Sequence, residues 1–153
     1  MRAVVQRVGR ASVSVAGQVA GRIGPGLLAL VGVGHGDDRR SAERLADLIA
    51  GLRIFPDADG KMNLAVAEVG GEVLVVSQFT LFADASRGRR PSFAGAAPPG
   101  LAEPLLGQVV ASLSGRGLGV STGRFGARME LELVNDGPVT IVLDTERRSP
   151  AEQ

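Results

Sequence analysis

Val73–Phe82, VLVVSQFTLF, is the stretch whose reading decides the fold. It opens as a continuous run of Val and Leu, too short for a free-standing helix and rich in β-branched side chains, so it predicts a buried strand. Ser77, Gln78 and Thr80 then fall where that strand should end. Two hydroxyls and an amide at the mouth of a central strand cost burial energy unless they are hydrogen-bonded or used. Taken alone, a Ser and a Thr closing a strand end account for them adequately. The segment Asn135–Thr140, NDGPVT, shifts the balance towards use.

Upstream of this strand, Gly70-Gly71 and Asp57-Ala58-Asp59-Gly60 read as turns. Leu45, Leu48, Ile49 and Leu52 share one face of a helix that Asp37, Asp38 or Ser41 can cap. Leu27–Val33 is another continuous apolar strand, set off by Gly24-Pro25-Gly26. Gly32, Gly34 and Gly36 follow it, but the dinucleotide fingerprint G-x-G-x-x-G is absent. Arg2–Val8 and the alternating Ala11–Val15 read as two strands, with Gly17-Gln18 turning the chain into Val19–Ile23. Downstream, Ala83–Gly100 is a long irregular stretch, which in a compact domain is functional or disordered. A second helix spans Leu101–Leu113. Met129, Leu131 and Leu133 alternate with Glu130 and Glu132 in a half-exposed strand, and Val139–Leu143 is expected to run back as its hairpin partner. Thr145–Gln153, charged and carrying Pro150, reads as a disordered tail on a single domain of residues 1–144.

Composition narrows the chemistry. The chain has 153 residues, 44% hydrophobic and 22% charged, as expected of one globular domain. With no Cys and a single His, thiol catalysis and disulfides are excluded and no metal site is expected. No apolar run approaches the ~20 residues of a membrane span, and no signal-peptide pattern opens the chain, so a cytoplasmic protein is expected. Net charge is only +1, yet residues 1–36 carry four Arg and no acid. Arg87, Arg89 and Arg90 lie in a second acid-free stretch, and Arg116, Arg124 and Arg128 in a third. Guanidinium groups suit bidentate phosphate contacts, although a solvated surface accounts for them equally well.

For catalysis, a hydroxyl nucleophile at Ser77 or Thr80 would need His35 as its base, and the nucleophile-elbow pattern G-x-S-x-G is absent. The paired acids Asp37-Asp38 and Asp57/Asp59 read as a cap and a turn. What remains at the SQFT corner is a set of donors. The N–H groups around Phe79 and Thr80, with the Thr80 hydroxyl, suit an oxyanion hole for a substrate that brings its own general base. NDGPVT reads as a hairpin. It also offers a rigid Gly-Pro unit, cis in about 5% of X–Pro bonds, whose carbonyl oxygens can wall off one side of a chiral carbon.

SQFTL (Ser77–Leu81) together with NDGPVT (Asn135–Thr140) resembles the paired motifs of the D-aminoacyl-tRNA deacylases. The likeness extends to QRV (Gln6–Val8), ASV (Ala11–Val13), GKMNL (Gly60–Leu64), RPSF (Arg90–Phe93) and TGRF (Thr122–Phe125), and covers residues 1–144. The resemblance implies an α/β fold in three layers: a mostly antiparallel, barrel-like β body with two principal helices on one side. It implies a homodimeric, cofactor-free hydrolase of the ester between a D-amino acid and the terminal adenosine of tRNA. Ser77, Gln78, Phe79 and Thr80 would line the aminoacyl pocket. Gly137 and Pro138, joined by a cis bond and oriented by Arg7, would enter the partner's site and exclude L-amino acids. Phe125 and Met129 would border the adenine, and the substrate's 2′-hydroxyl would assist the reaction. A steric wall of this kind does not distinguish glycine from D-amino acids, so glycyl-tRNA, including glycine mischarged on tRNA for alanine, is an expected substrate. Two rivals remain at this point: a general esterase working through His35, and a tRNA- or protein-binding module whose SQFT residues only cap a strand.

Overall fold

The computed structural model describes residues 1–146. In chain order the strands are β1 (Arg2–Val15), β2 (Gln18–Ile23), β3 (Gly26–Gly32), β4 (Phe55–Pro56), β5 (Met62–Leu64), β6 (Glu72–Ser77), β7 (Gly119–Thr122) and β8 (Glu130–Asp144). Helix α1 (Arg39–Gly51) lies between β3 and β4, and α2 (Pro99–Ser114) between β6 and β7. The main sheet runs β2-β1-β3-β6-β7, with β8 also paired to β1. All three pairings of β1 are antiparallel, whereas β3–β6 and β6–β7 are parallel and enclose the helices as crossovers.

The unbroken apolar run of β6 follows from burial on both faces. Val73 and Val75 pack into a core shared with Leu45 and Ile49 of α1 and Val109 and Leu113 of α2. Leu74 and Val76 point the other way, into a second core with Val8, Val13, Ile23 and Leu28, against which Met129, Leu131 and Leu133 close. Helices, central sheet and the curled-over layer of β1, β2 and β8 thus form three layers. The sheet nearly closes into a barrel where β7 meets β2. There the Ser121 hydroxyl donates to the Arg22 carbonyl at 3.3 Å, and a Cβ on Gly21 would stand 2.4 Å from the Thr122 oxygen, so only glycine admits the contact.

Several local expectations need correction. Arg2–Val8 and Ala11–Val15 are one continuous strand. NDGPVT is not a hairpin: Glu130–Val134 and Thr140–Asp144 belong to the single strand β8, each half pairing with β1. Neither half needs the other as a partner, because the long β1 offers a free edge to both. Helix α2 starts at Pro99 and not Leu101; Pro suits a helical first turn, where its missing N–H costs nothing. Asp38 alone caps α1, in a box with Ser41. Asp37 is instead buried, accepting from the Met1 ammonium and from the Gly34 N–H. Thr145 is held as well, its N–H donating to the Met1 carbonyl at 2.9 Å. The rest of the expected tail, beyond Glu146, lies outside the described residues.

Candidate active site

Ser77 ends β6 in register with Val31 of β3, and the Gln78 N–H still donates to the Val31 carbonyl at 2.8 Å. The chain then winds into a single 3-10 turn, Phe79–Phe82. This change of structure turns the SQFT corner out of the sheet. Ser77, Gln78 and Phe79 border a cleft of about 630 Å³, which Phe125 and Met129, from the segment entering β8, also line. Five of the expected site residues therefore converge. Thr80 stands just outside the lining; its hydroxyl oxygen accepts from the Gln78 side-chain amide. As the acceptor in that bond, the Thr80 hydroxyl keeps its own hydrogen available to donate. At the first turn, the N–H groups of Phe79 and Thr80 have no intrahelical carbonyl to bond.

The remaining lining was only partly foreseen. Phe93 meets Phe79 edge-to-face, ring centres 5.1 Å apart, and both rings are exposed at the cleft. Ala96, Ala97, Pro99 and Ala102 supply a wall of small side chains from the stretch entering α2. The signal for this wall was the composition of Ala83–Gly100, since small residues and Pro let main chain approach a ligand closely. No ionisable side chain lines the cleft among the described residues. His35, the only candidate base for a hydroxyl nucleophile, is not in the lining; its Nε2 is engaged with the Ala94 carbonyl at 2.8 Å. The hydroxyls at the corner thus have no base beside them.

Gly137, Pro138 and Arg7 form a second constellation. Thr140 pairs with Gln6 and Asn135 with Val8, so the four residues 136–139 of β8 stand opposite Arg7 alone. The surplus bulges out of the strand, with the cis Gly137–Pro138 peptide in it and Gly137 at φ +130°. Arg7 braces the bulge. Its Nε donates to the Asp136 carbonyl at 3.2 Å and lies 3.3 Å from the Asp136 carboxylate, while Nη1 donates to the Ile54 carbonyl at 2.6 Å. The Asn135 amide closes the base, donating to the carbonyls of Arg7 (2.9 Å) and Val139 (3.1 Å). Asn135 was missed as a positioning residue, because its role exists only once β1 and β8 are paired. Gly137 lies six residues beyond Leu131, the last lining residue on β8, on the order of 20 Å away along an extended strand. A single protomer does not bring its own bulge into its own cleft.

A three-layer α/β scaffold whose cleft offers hydrogen-bond donors and, among the described residues, no ionisable side chain suits an ester that is already activated. Comparison with known proteins is specific. The family model described as D-Tyr-tRNA(Tyr) deacylase matches residues 4–144. A D-aminoacyl-tRNA deacylase from Anaeromyxobacter dehalogenans is 61% identical over 147 residues, covering 96% of this chain and 99% of the relative. One from Desulfitobacterium hafniense is 58% identical over the same coverage. Among solved structures, the c-Myc DNA Unwinding Element Binding Protein superimposes with a TM-score of 0.88 at 39% identity, over 94% of this chain and 98% of that one. A probable eukaryotic D-amino acid tRNA deacylase shares the fold, with a TM-score of 0.79 at 16% identity over 93% and 97% of the two chains. The chain belongs to the D-Tyr-tRNA(Tyr) deacylase family, and it is an enzyme of that kind, a hydrolase of the aminoacyl-tRNA ester bond.

Proposed function

We propose that this chain removes D-amino acids, and glycine mischarged on tRNA for alanine, from the terminal adenosine of tRNA as a cytoplasmic homodimer, with the RNA supplying part of the reactivity. The observation that carries this reading is a cleft of about 630 Å³ whose described walls hold hydroxyl, amide and aromatic groups but nothing ionisable. Water attacks the ester carbonyl carbon, the bond to the ribose oxygen breaks, and that oxygen takes back a proton. Negative charge gathers on the carbonyl oxygen, where the N–H groups of Phe79 and Thr80 and the Thr80 hydroxyl receive it; one such donor is worth roughly 10²–10³ in rate. Ser77 and Gln78 hold the aminoacyl group. The proton traffic falls to the 2′-hydroxyl beside the ester, and Phe125 and Met129 pack on the adenine.

Chirality is judged by the Gly137–Pro138 bulge of the second protomer, oriented by Arg7. A D-amino acid turns hydrogen to that main-chain wall and an L-amino acid turns its side chain; glycine meets no obstacle. The separation of bulge and cleft along β8 supports a partner's contribution, as do Val134 and Val142, which are large apolar side chains exposed on β8.

The test is deacylation of matched D- and L-tyrosyl-tRNA by one preparation, with a third substrate carrying 2′-deoxyadenosine at its end. Rapid loss of the D-ester, with the L-ester and the deoxy substrate stable, is the expected result. Equal rates for D and L refute the wall, and hydrolysis of the deoxy substrate as fast as the D-ester refutes assistance by the RNA. Binding of tRNA without turnover of any substrate would leave a binding module.

A further inference from the structure

Two segments contribute to the wall of the cleft, and both are arginine-rich and free of acid. In the first, Phe93, Ala96 and Ala97 follow a short excursion whose base is closed by Asp84 and Ser92, each bonded to the other's backbone at 2.8 Å. Arg87, Arg89 and Arg90 lie on this excursion, all exposed. In the second, exposed Arg124 and Arg128 flank the lining residues Phe125–Ala127. No acid occurs from residue 85 to 102 or from 104 to 129.

Five other arginines are tied within the fold, whereas the guanidinium groups of Arg10, Arg22 and Arg40, away from the cleft lining, have no ion pair or hydrogen bond among the described residues. Arg2 pairs with Asp144, Arg7 with Asp136, Arg39 with Glu43 and Arg116 with Asp47, and Arg53 donates to Asn63. The guanidinium groups of the five at the cleft have no ion pair or hydrogen bond among the described residues. The acid nearest the Arg87–Arg90 segment in the chain, Asp84, is occupied: its carboxylate accepts the Ser86 N–H at 2.9 Å, and the bonds from Ser86 hold its pKa below the ordinary value. Leaving several guanidiniums unpaired beside one another is unfavourable for the free protein, since like charges repel. It becomes favourable when an anionic chain is laid between them.

We propose that Arg87, Arg89 and Arg90 on one lip and Arg124 and Arg128 on the other bracket the sugar–phosphate strand leading into the cleft, gripping phosphates of the unpaired nucleotides just before the terminal adenosine. The inference rests on the reading of the cleft as an aminoacyl-adenosine site, and adds how the rest of the RNA is held. The contacts are to backbone phosphates and so carry no sequence information. They separate two tasks: the cleft judges the amino acid, while the lips hold any tRNA that reaches it.

The test compares D-tyrosyl-tRNA with 3′-O-D-tyrosyl-adenosine, which has no phosphates. The variants are Arg87→Gln/Arg89→Gln/Arg90→Gln and Arg124→Gln/Arg128→Gln, with thermal melting confirming that each is folded. For the tRNA, kcat/KM should fall at least tenfold in each variant. The slope of log(kcat/KM) against log[salt] should flatten by about 0.7 for each phosphate no longer neutralised, hence by about 2 in the triple variant. Turnover of the nucleoside should stay within twofold of the parent. An unchanged salt slope overturns the proposal, and is what lips built for an acidic protein segment would give. An equal loss on both substrates also overturns it, because the arginines would then be shaping the cleft. Should the unaltered protein hydrolyse neither substrate, the functional reading fails separately; the salt slope of uncharged tRNA binding, with the same variants, then decides the bracket alone.

Discussion

Substituting Ala for Gly137 tests the chiral wall with a single methyl group. Gly137 sits at φ +130°, and a Cβ there would stand 2.7 Å from Val139 Cγ2, 2.8 Å from the Val139 nitrogen and 3.2 Å from Arg7 Nη2. The Val139 side chain can rotate, but its backbone nitrogen cannot withdraw without displacing the segment joined to it. An L-residue in this conformation costs about 1–3 kcal/mol before the clash is counted. The bulge relieves that cost by shifting, which moves the carbonyl oxygens proposed to face the substrate's α-carbon. In a chain of this size about 2 kcal/mol lowers the melting temperature by roughly 4–8 °C. The same energy withdrawn from rejection of the L-substrate is more than tenfold in rate. Single-turnover deacylation of D- and L-tyrosyl-tRNA by one preparation gives the ratio independently of the active fraction. We expect Gly137→Ala to melt several degrees lower and to lose at least tenfold in D-over-L preference, mainly through a faster L reaction. A folded variant with the parental ratio would refute the role of the bulge in selection.

Arg7→Lys keeps the charge beside Asp136 but loses the forked contact to the Ile54 and Asp136 carbonyls, so it should cost about 1–3 kcal/mol in denaturant unfolding and lower the D-over-L ratio in the same direction. His35→Ala removes only a contact to the Ala94 carbonyl and should leave kcat within twofold; a loss beyond about 100-fold would reinstate a histidine base. Glycyl-tRNA should be hydrolysed alongside D-tyrosyl-tRNA in a mixed charging assay, and its full survival there would contradict the steric account. Acid should weaken the fold through three hydrogen-bonded carboxylates. Asp38, Asp57 and Asp84 are held below the ordinary value of 3.8, chiefly by backbone N–H bonds at the first two and by Ser86 at Asp84. Their contribution is complete above the unfolded pKa and is lost as pH falls through the lower folded values. Melting temperature should therefore drop below about pH 4, and less steeply in Asp38→Asn.

Much of the architecture was legible because local pattern and tertiary burial agree. The unbroken apolar run of β6 signalled a buried strand, and two separate cores cover its two faces. The alternation from Met129 to Leu133 is kept, with its odd positions packed on the second core and its glutamates exposed. Asp38 and Ser41 were correctly among the candidate caps. Sequence reasoning failed where a residue's role depends on pairing across a long separation. Asp-Gly followed by Pro has the chemistry of a hairpin, and nothing local reveals that β1 will pair with both flanks. The break read between Val8 and Ala11 and the break read at NDGPVT belong to one irregularity: β8 has four residues opposite Arg7, and β1 has Gly9 in surplus beside it. The cleft was half legible. The SQFT corner stood out as polar groups at a strand end, whereas Phe93 and the alanines near α2 are defined only by where the loop returns.

That single irregularity bears on selection more directly than a hairpin tip would. A wall that rejects one hand of a substrate must be stiffer than the clash it imposes, since a yielding wall lets the L-substrate enter at the cost of its own displacement. Discrimination of 10⁴ requires about 5.5 kcal/mol, so the main chain must withstand at least that before it moves. A free tip, with neither flank in a sheet, gives way for far less. A bulge inside β8 is clamped by ladder pairing on both sides, by Arg7 reaching from the Ile54 carbonyl to the Asp136 carbonyl, and by Asn135 tying Arg7 to Val139. On the proposed reading, then, stiffness is generated in one protomer and spent in the cleft of the other, which is free to stay open for any D-side chain. It follows that loosening the clamp and enlarging the cleft should have opposite signatures: the first admits L-substrates, and the second changes which D-substrates turn over fastest while the D-over-L ratio holds.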